Sequence, residues 1–434
     1  MTSTALLTDR YELTMVDAAL QAGTHDTPCV FELFARRLPH GRRYGVVAGT
    51  GRLIESIAEF RFGAEELAFL KRESIVSPET LDWLEAYRFT GDIRGYREGE
   101  LYFPGSPLLV VEAGFAEGVV LETLALSTLN YDSAVASAAA RMVSAAAGRP
   151  LAEMGSRRTS ERSAVAAARA AYLAGFSATS NLEAGRTWGI PTMGTAAHAF
   201  TLLFPDEEQA FRAQLAALGT GTTLLIDTYD IRTGVENAIR ATGTGLGAVR
   251  IDSGDLGVVV REVRAQLDEL GATGTRITVT NDLDEHAIAA LASAPVDSYG
   301  VGTALVTGSG APAAGMVYKL VARRDAAGAW IGVGKTSENK ATVGGRKQPV
   351  RALRDGVAVS EDVHVDDPPV EALAPERGRL LHVPLVTDGV PASDALGTAG
   401  LEAARAHHAT AKAELPANAL RLSQGEPAIP TRYL

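Results

Sequence analysis

The sequence predicts an α/β fold, namely an irregular (β/α) barrel with a second α+β domain formed from the N- and C-terminal parts of the chain. Short apolar runs alternate with helical stretches between residues 175 and 301. Polar side chains and glycines follow each apolar run. Strand–helix alternation at this spacing is typical of parallel βα units, which is why a barrel is expected.

Six apolar runs are predicted to be strands, with helices between most of them. The strands are expected at 175–179, 190–194, 222–226, 248–251, 275–279 and 298–301. The helices are expected at 205–218, 233–242, 256–270 and 284–293. Upstream, an Ala-rich helix over about 120–148 stops at Gly148, and a helix over 160–174 has Ser160 as its N-cap.

The two ends of the chain are predicted to form the second domain. Each flank is too short to bury a sizeable hydrophobic core by itself, so the two flanks are expected to pack together. We therefore predict an α+β domain from residues 1–115 and 335–434 and a barrel domain from residues 116–334. Within the flanks, a helix near 9–22 and a helix near 396–413 are expected.

Polar groups cluster at the carboxyl ends of the predicted strands. After the fourth strand come Asp252, Ser253 and Asp255, and Gly254 lets a ligand approach the backbone closely. The other strands are followed by Thr179, Ser180 and Asn181, by Thr195 and His198, by Asp227, Thr228 and Asp230, by Thr280, and by Gly302 and Thr303. In a (β/α) barrel these ends share the rim that carries the active site. A doubly wound open sheet is the competing fold, and ordinary turns are the competing interpretation of each segment.

Composition restricts the class of protein. The chain has 434 residues and a net charge of -11, which argues against nucleic acid as the main partner. Its single cysteine, Cys29, excludes an intrachain disulfide framework and a cysteine-based zinc site. The N-terminus lacks a signal-peptide pattern, and glutamates interrupt the most apolar stretch, 108–126. We expect a cytoplasmic protein with no membrane partner.

His198 follows Gly194-Thr-Ala-Ala, on the predicted rim. An imidazole there can act as a general base, a metal ligand or a phosphoryl acceptor. Because no second His or Cys has metal-ligand spacing with it, metal ligation is the least favoured of these roles. A hydrogen-bonded helix residue remains the alternative.

Two further segments suit phosphate. Arg157 and Arg158 precede a helix N-terminus, where two guanidinium groups form a bidentate phosphate site. The segment Tyr299–Thr303 offers backbone N–H groups and a hydroxyl with little side-chain bulk. A basic segment at 335–340 is either a loop over an anionic ligand or a solvated surface strand.

Taken together, nine segments resemble nicotinate phosphoribosyltransferase, a type II phosphoribosyltransferase. In chain order they are Thr8–Met15, Phe31–Phe34, Gly155–Arg158, Thr179–Asn181, Gly194–His198, Ile226–Asp230, Arg250–Asp255, Gly300–Thr303 and Val317–Val321. They cover roughly residues 8–347, and the ordered set rather than any single segment carries the resemblance.

The resemblance implies a reaction in NAD biosynthesis. Nicotinate, phosphoribosyl diphosphate and ATP would give nicotinate mononucleotide, diphosphate, ADP and phosphate. His198 matches the family's transiently phosphorylated histidine. Nicotinate would be bound by Tyr11, Thr195 and Arg250, and phosphoribosyl diphosphate by Arg157, Arg158, Ser253, Gly302 and Thr303.

The catalytic roles of the rim carboxylates follow from the chemistry of the displacement. C1 of the ribose loses diphosphate through a cation-like transition state, so Asp252 and Asp255 are expected to hold metal or ribose hydroxyls and to favour the positive ring. Mg²⁺ is expected to stabilise the departing diphosphate, although the sequence leaves its ligands open.

The resemblance also implies a homodimer with shared active sites, because the family's tyrosine, matched by Tyr11, stacks on nicotinate bound by the neighbouring subunit. Relatives specific for nicotinamide carry an acid at the position of Ser180, so a neutral Ser180 suits a carboxylate substrate better. The alternatives are a nicotinamide or quinolinate phosphoribosyltransferase, or a non-catalytic sensor of phosphoribosyl ligands.

Overall fold

A computed structural model describes residues 4–335, 342–366, 373 and 378–434 of the chain. Most of the basic segment predicted at 335–340 therefore lies outside the described residues. No helix in the described ranges combines the length and the hydropathy that crossing a bilayer requires.

The helices and strands follow one another along the chain in this way. The helices are α1 (Arg10–Gln21), α2 (Thr50–Glu59), α3 (Ala64–Arg72), α4 (Pro78–Ala86), α5 (Phe115–Val119), α6 (Glu122–Ala146), α7 (Glu161–Leu173), α8 (Leu182–Trp188), α9 (His198–Leu202), α10 (Glu207–Leu218), α11 (Ile231–Thr242), α12 (Leu256–Glu269), α13 (Glu285–Ala290), α14 (Thr303–Val306) and α15 (Gly397–Ala413). The strands are β1 (Pro28–Ala35), β2 (Gly45–Val46), β3 (Asp92–Tyr96), β4 (Leu101–Tyr102), β5 (Leu109–Gly114), β6 (Leu151–Glu153), β7 (Ala178–Thr179), β8 (Thr223–Leu225), β9 (Ala248–Ile251), β10 (Arg276–Val279), β11 (Ser298–Val301), β12 (Met316–Arg324), β13 (Trp330–Gly332), β14 (Lys347–Arg354), β15 (Val357–Val365), β16 (Gly378–Leu380), β17 (His382–Thr387), β18 (Val390–Pro391) and β19 (Thr431–Tyr433).

The chain divides into two compact units. The first comprises Met1–Ser137 and Ala311–Leu434, and the second comprises Ala138–Gly310. A compact unit is not the same as an independently folding domain. The bounds predicted for the two domains, at 115/116 and 334/335, therefore stay a prediction.

The first unit joins both ends of the chain through an antiparallel sheet. Its seven strands lie in the order β13-β12-β1-β5-β3-β17-β18, so β1 pairs with β12 and β3 pairs with β17. Phe31 of β1 stacks on Tyr318 of β12 with ring centroids 5.2 Å apart, and both rings are buried. Because β3 of the N-terminal flank pairs with β17 of the C-terminal flank in this sheet, the structure confirms the predicted α+β domain built from the two chain ends.

The second unit contains a parallel six-stranded sheet in the order β7-β6-β11-β10-β9-β8. The strands are arranged in cyclic chain order, because the last strand, β11, pairs with the first, β6. A doubly wound sheet would instead reverse its order at a switch point. This arrangement confirms the irregular barrel, which is a half-barrel because no strand pairing joins β7 to β8 in the described part of the chain.

One expected strand is corrected, and one strand was missed. The strand predicted at 190–194 is only a bridge between Thr192 and Thr179, since Pro191 has no N–H to donate to a ladder. The sequence prediction also missed β6, whose three residues are all buried and which pairs with both β7 and β11. Three residues are too few to show a periodic pattern, and a helix-stop signal precedes them.

Candidate active site

The register of the parallel strands sets the rim residues side by side. Arg250 of β9 lies opposite Leu225 of β8 and Thr278 of β10. Just beyond these strand ends, the Asp252 N–H donates to Asp227 and the Thr280 hydroxyl donates to Asp252, so Asp227, Asp252 and Thr280 lie in one row. Because the carboxyl ends of these strands share one rim, three polar side chains from distant parts of the sequence meet there.

Arg250 is a largely buried cation, and not all of its N–H donors have a hydrogen-bond partner in the described residues. Its Nη1 donates to Thr195 Oγ1 at 2.8 Å and to the Ala196 carbonyl at 3.4 Å. Its Nε is buried and has no hydrogen-bond partner among the residues the structure describes. Only 15% of the side chain is exposed, so an unsatisfied donor here is costly and favours an anionic ligand.

Burial and the charges of three neighbouring side chains shift the pKa of Arg250. Burial lowers the pKa of Arg250, and the positive charge of Arg157 acts in the same direction. The carboxylates of Asp252 and Asp227 oppose both effects on this pKa. The separation between Arg250 Nη2 and Asp252 Oδ2 is 4.0 Å, which leaves the guanidinium accessible to another carboxylate.

Asp227 connects the ends of two strands from a buried position. Its Oδ2 accepts hydrogen bonds from the Asp252 backbone N–H at 2.8 Å and from the Ser253 hydroxyl at 2.7 Å. Its side chain is 1% exposed, and its Oδ1 has no hydrogen-bond partner in the described ranges. A buried carboxylate with one uncommitted oxygen is poised to stabilise a nearby positive charge.

His198 lies close to that oxygen. Its Nε2 lies 3.9 Å from Asp227 Oδ1, and its Nδ1 lies 3.1 Å from Thr228 Oγ1. The side chain is 41% exposed at the first residue of α9. The imidazole is thus oriented by a carboxylate on one side and a hydroxyl on the other, while it stays accessible to a ligand.

Two Asp-x-x-Asp segments lie at the rim, Asp227–Asp230 and Asp252–Asp255, and in both the first and second aspartates have different roles. In each segment the first aspartate, Asp227 or Asp252, belongs to the row of polar residues beyond the strand ends. Asp252 Oδ1 accepts a 2.7 Å hydrogen bond from the Thr280 hydroxyl. The second carboxylate caps a helix: Asp230 accepts from Thr233 N at 2.8 Å, and Asp255 accepts from Gly257 N at 3.1 Å. The catalytic role assigned to Asp255 stays a prediction.

The predicted phosphate-binding residues lie on two turns of the same unit. Arg157 and Arg158 are exposed on the turn between β6 and α7. Gly302 and Thr303 begin α14, and a Cβ on Gly302 would lie 3.2 Å from the Met154 carbonyl oxygen, closer than most such contacts. Both turns leave β6 and β11, which are paired neighbours, so the two groups start from adjacent strands.

A buried glutamate fixes the turn that carries the arginines. Glu153, the last residue of β6, accepts hydrogen bonds from the Thr179 hydroxyl and the Gly155 N–H. Burial raises the pKa of Glu153, and these hydrogen bonds oppose that rise. The pair of strands β6 and β7 is therefore tied together at the rim end.

Tyr11 belongs to the first unit, whereas the rim side chains belong to the second. It occupies the first turn of α1 with 45% of its surface exposed. Burial and the carboxylates of Glu122 and Glu12 raise the pKa of Tyr11 to about 12, so the phenol is neutral at physiological pH. A neutral, partly exposed ring is suited to stacking on a ligand.

Sequence reasoning left four site residues without a role. They are Glu153, Asp227, Thr228 and Thr280. Three of them were recognisable as polar residues at strand ends, but only the strand register shows which neighbour each one contacts. Glu153 lies on the strand that the pattern did not reveal.

A family model and curated relatives identify the family to which the chain is similar. The family model for the nicotinate phosphoribosyltransferase N-terminal domain matches residues 6–130. Nicotinate phosphoribosyltransferase pncB1 of Mycobacterium tuberculosis is 58% identical over 438 residues, covering 99% of this chain and 95% of that protein. The Bacillus subtilis nicotinate phosphoribosyltransferase is 37% identical over 374 residues, covering 84% of this chain and 76% of that protein.

A solved structure extends the similarity to the whole architecture. The crystal structure of human nicotinic acid phosphoribosyltransferase matches with a TM-score of 0.81 and 26% identity. The match covers 97% of this chain and 96% of that chain.

Proposed function

This chain belongs to the nicotinate phosphoribosyltransferase family, and on that premise we propose that it forms nicotinate mononucleotide from nicotinate and phosphoribosyl diphosphate in NAD biosynthesis. We propose further that the reaction is coupled to ATP hydrolysis through a phosphohistidine at His198. The observation that carries the substrate assignment is the buried Arg250 guanidinium with uncommitted donors at the rim.

Nicotinate recognition is assigned to Arg250 and Thr195. The planar guanidinium presents donors in a fork that matches a carboxylate, whereas a neutral carboxamide would leave the cation uncompensated. Thr195 accepts a hydrogen bond from Arg250 Nη1 and so fixes the orientation of the fork. Ser180 is exposed and neutral at the end of β7, which adds no competing negative charge.

The displacement breaks the bond between C1 of the ribose and the diphosphate oxygen as the pyridine nitrogen of nicotinate forms its bond to C1. Positive charge grows on the ribose ring and negative charge on the leaving diphosphate. Asp252 would stabilise the ring, and Arg157 and Arg158 would bind the diphosphate. Ser253, Gly302 and Thr303 would contact phosphate through hydroxyl and backbone groups.

Mg²⁺ fits the donor chemistry of this rim. In phosphoryl and diphosphate sites it is usually held by one or two carboxylates together with substrate oxygens. The carboxylate of Asp252, whose side chain is 36% exposed at the rim, is the group that would hold it together with substrate oxygens. When bound, the ion would neutralise charge on the departing diphosphate.

The ATP-coupled step is assigned to His198 and Asp227. Asp227 Oδ1 near Nε2 favours the proton on that nitrogen, which leaves the lone pair on Nδ1. Nδ1 would attack the γ-phosphorus of ATP, forming the N–P bond and breaking the bond to the ADP oxygen. The negative charge of Asp227 would stabilise the imidazolium, and water would later hydrolyse the phosphohistidine to phosphate.

The assembly proposed is a homodimer in which Tyr11 of one subunit stacks on nicotinate in the site of its partner. Tyr11 is exposed and belongs to a different unit from His198 and Arg250. A head-to-tail C2 pairing would supply both tyrosines symmetrically.

The decisive experiment measures diphosphate release by the purified protein with nicotinate, nicotinamide or quinolinate, each with and without ATP. Release that requires nicotinate and rises with ATP is expected. Preference for nicotinamide or quinolinate would identify one of the related transferases. Binding of phosphoribosyl diphosphate without release, for any of the three bases, would indicate a sensor.

A further inference from the structure

Thr280, at the end of β10, is oriented by contacts on both branches of its side chain. Its hydroxyl donates a 2.7 Å hydrogen bond to Asp252 Oδ1. Its methyl lies over Gly300, where a Cβ would come within 2.7 Å of Thr280 Cγ2 and 2.6 Å of Met154 Sδ. Because a β-branched side chain has few rotamers, the space at Gly300 fixes the direction of the hydroxyl.

The bond from Thr280 restrains a carboxylate that faces a cation. Asp252 Oδ2 lies 4.0 Å from Arg250 Nη2, beyond the roughly 2.7–2.9 Å of a charge-assisted hydrogen bond. The Asp252 side chain is 36% exposed, so its carboxylate has space to rotate. A rotation of the carboxylate toward Arg250 would close the gap, and the hydrogen bond to Thr280 opposes that rotation.

We propose that Thr280 is a positioning residue that keeps Arg250 available for the carboxylate of the substrate, an inference that rests on the proposed function. A closed Asp252–Arg250 pair would satisfy the guanidinium internally, and nicotinate would then have to displace it. With Asp252 held by Thr280, the Nη2 donor of Arg250 stays available to the substrate.

The test compares Thr280→Val, which keeps the shape and removes the donor, with Thr280→Ser, which keeps the donor. We expect Thr280→Val to raise the KM for nicotinate about tenfold, the lower range for one charge-assisted hydrogen bond. Its KM for phosphoribosyl diphosphate should stay near the wild-type value, and Thr280→Ser should recover most of the loss. An unchanged KM for nicotinate, or equal rises for both substrates, would overturn the inference.

A second variant tests how the hydroxyl is directed. Gly300→Ala places a methyl against Thr280 Cγ2, so it should also raise the KM for nicotinate. In the Thr280→Ser background that contact is gone, and the effect of Gly300→Ala should shrink. The same effect in both backgrounds would refute the link between Gly300 and the orientation of Thr280.

Crystal structures of the wild type and of Thr280→Val supply a readout that does not depend on activity. The Asp252–Arg250 separation is expected to fall from 4.0 Å to hydrogen-bond distance in the variant. An unchanged separation would reject the inference. A wild type without nicotinate-dependent diphosphate release would reject the proposed function instead, so the two failures are distinguishable.

Discussion

His198 Nε2 lies 3.9 Å from Oδ1 of Asp227, a carboxylate that is 1% exposed and whose other oxygen is already bound by Asp252 N and the Ser253 hydroxyl. The carboxylate cannot rotate freely, because two donors hold Oδ2. Its free oxygen therefore stays directed to the imidazole. This pair ties the proposed phosphoryl acceptor to the same backbone segment that carries Asp252.

His198→Ala should abolish labelling of the protein by ATP carrying a labelled γ-phosphate, because the acceptor nitrogen is gone. Some ATP-independent transfer should remain, since the displacement at C1 does not need the histidine. Labelling is measured on denatured protein under alkaline conditions, where phosphohistidine survives. His286→Ala, which removes a histidine at an exposed position on α13, is the matched control and should label normally. Undiminished labelling of His198→Ala would reject the assignment.

Asp227→Asn should slow phosphohistidine formation by about 10- to 100-fold, because the amide no longer stabilises the imidazolium with a charge. The rate is followed by rapid-quench labelling at saturating ATP. Asp230→Asn removes the charge of an aspartate from the same sequence neighbourhood that caps α11. Because Asn caps a helix about as well as Asp, this variant should keep both its stability and its labelling rate. Equal slowing in both variants would indicate a general structural effect.

Arg250→Ala should weaken nicotinate binding far more than phosphoribosyl diphosphate binding. One charge-assisted hydrogen bond contributes roughly 1.5–3 kcal/mol, or about 10- to 150-fold in affinity. Titration calorimetry with each substrate separates the two effects. Arg232→Ala, at an exposed position on α11, serves as the control. Equal losses for the two substrates would point to a structural role for Arg250.

Tyr11→Ala and His198→Ala chains, each nearly inactive alone, should complement one another when they are unfolded and refolded together. If Tyr11 acts on the partner's site, each mixed dimer holds one site with an intact tyrosine and an intact histidine. Activity of about a quarter of the wild-type value is then expected from random pairing. A mixture that exchanges subunits and stays inactive would show that the sites are not shared.

The stability of the protein should fall between pH 6.5 and pH 4 in a way that depends on His408. Burial lowers the pKa of His408 to about 4, with the positive charge of Lys412 acting in the same direction. The unfolded chain binds a proton near pH 6.5 and the folded chain does not, so stability is lost as pH falls through this window. At pH 5 the loss is about 2 kcal/mol.

Urea unfolding at pH 7 and pH 5 measures this contribution. His408→Gln does not titrate, so its stability relative to the wild type should improve by about 2 kcal/mol on going from pH 7 to pH 5. A variant whose stability falls in parallel with the wild type would assign the acid sensitivity to other groups.

Local signals predicted the βα units well where the strand and its flanks are distinct. The strand over 248–251 is found with the predicted bounds, and α12 follows it from residue 256. The apolar residues Ala248, Val249 and Ile251 lie between a glycine and an acidic turn, so the pattern has clear ends. By contrast, β6 has only three residues, and its burial and pairing come from β7 and β11 on either side.

In the two Asp-x-x-Asp segments, the sequence predicts the role of the second aspartate but not that of the first. An aspartate directly before a helix predicts an N-cap, and Asp230 and Asp255 are both caps. No local signal shows that Asp227 is buried with one oxygen directed to His198, since that histidine is 29 residues away in the chain.

The sequence by itself determined most of the alternating strands and helices, the polar strand ends and the family resemblance that the comparisons confirm. The tertiary structure decided which of those polar residues meet. Asp227, Asp252 and Thr280 stand in one row because the parallel register pairs Leu225 with Arg250 and Arg250 with Thr278. That register joins strands separated by a whole helical crossover, so it is set by the packing of the entire half-barrel and not by any local run of residues.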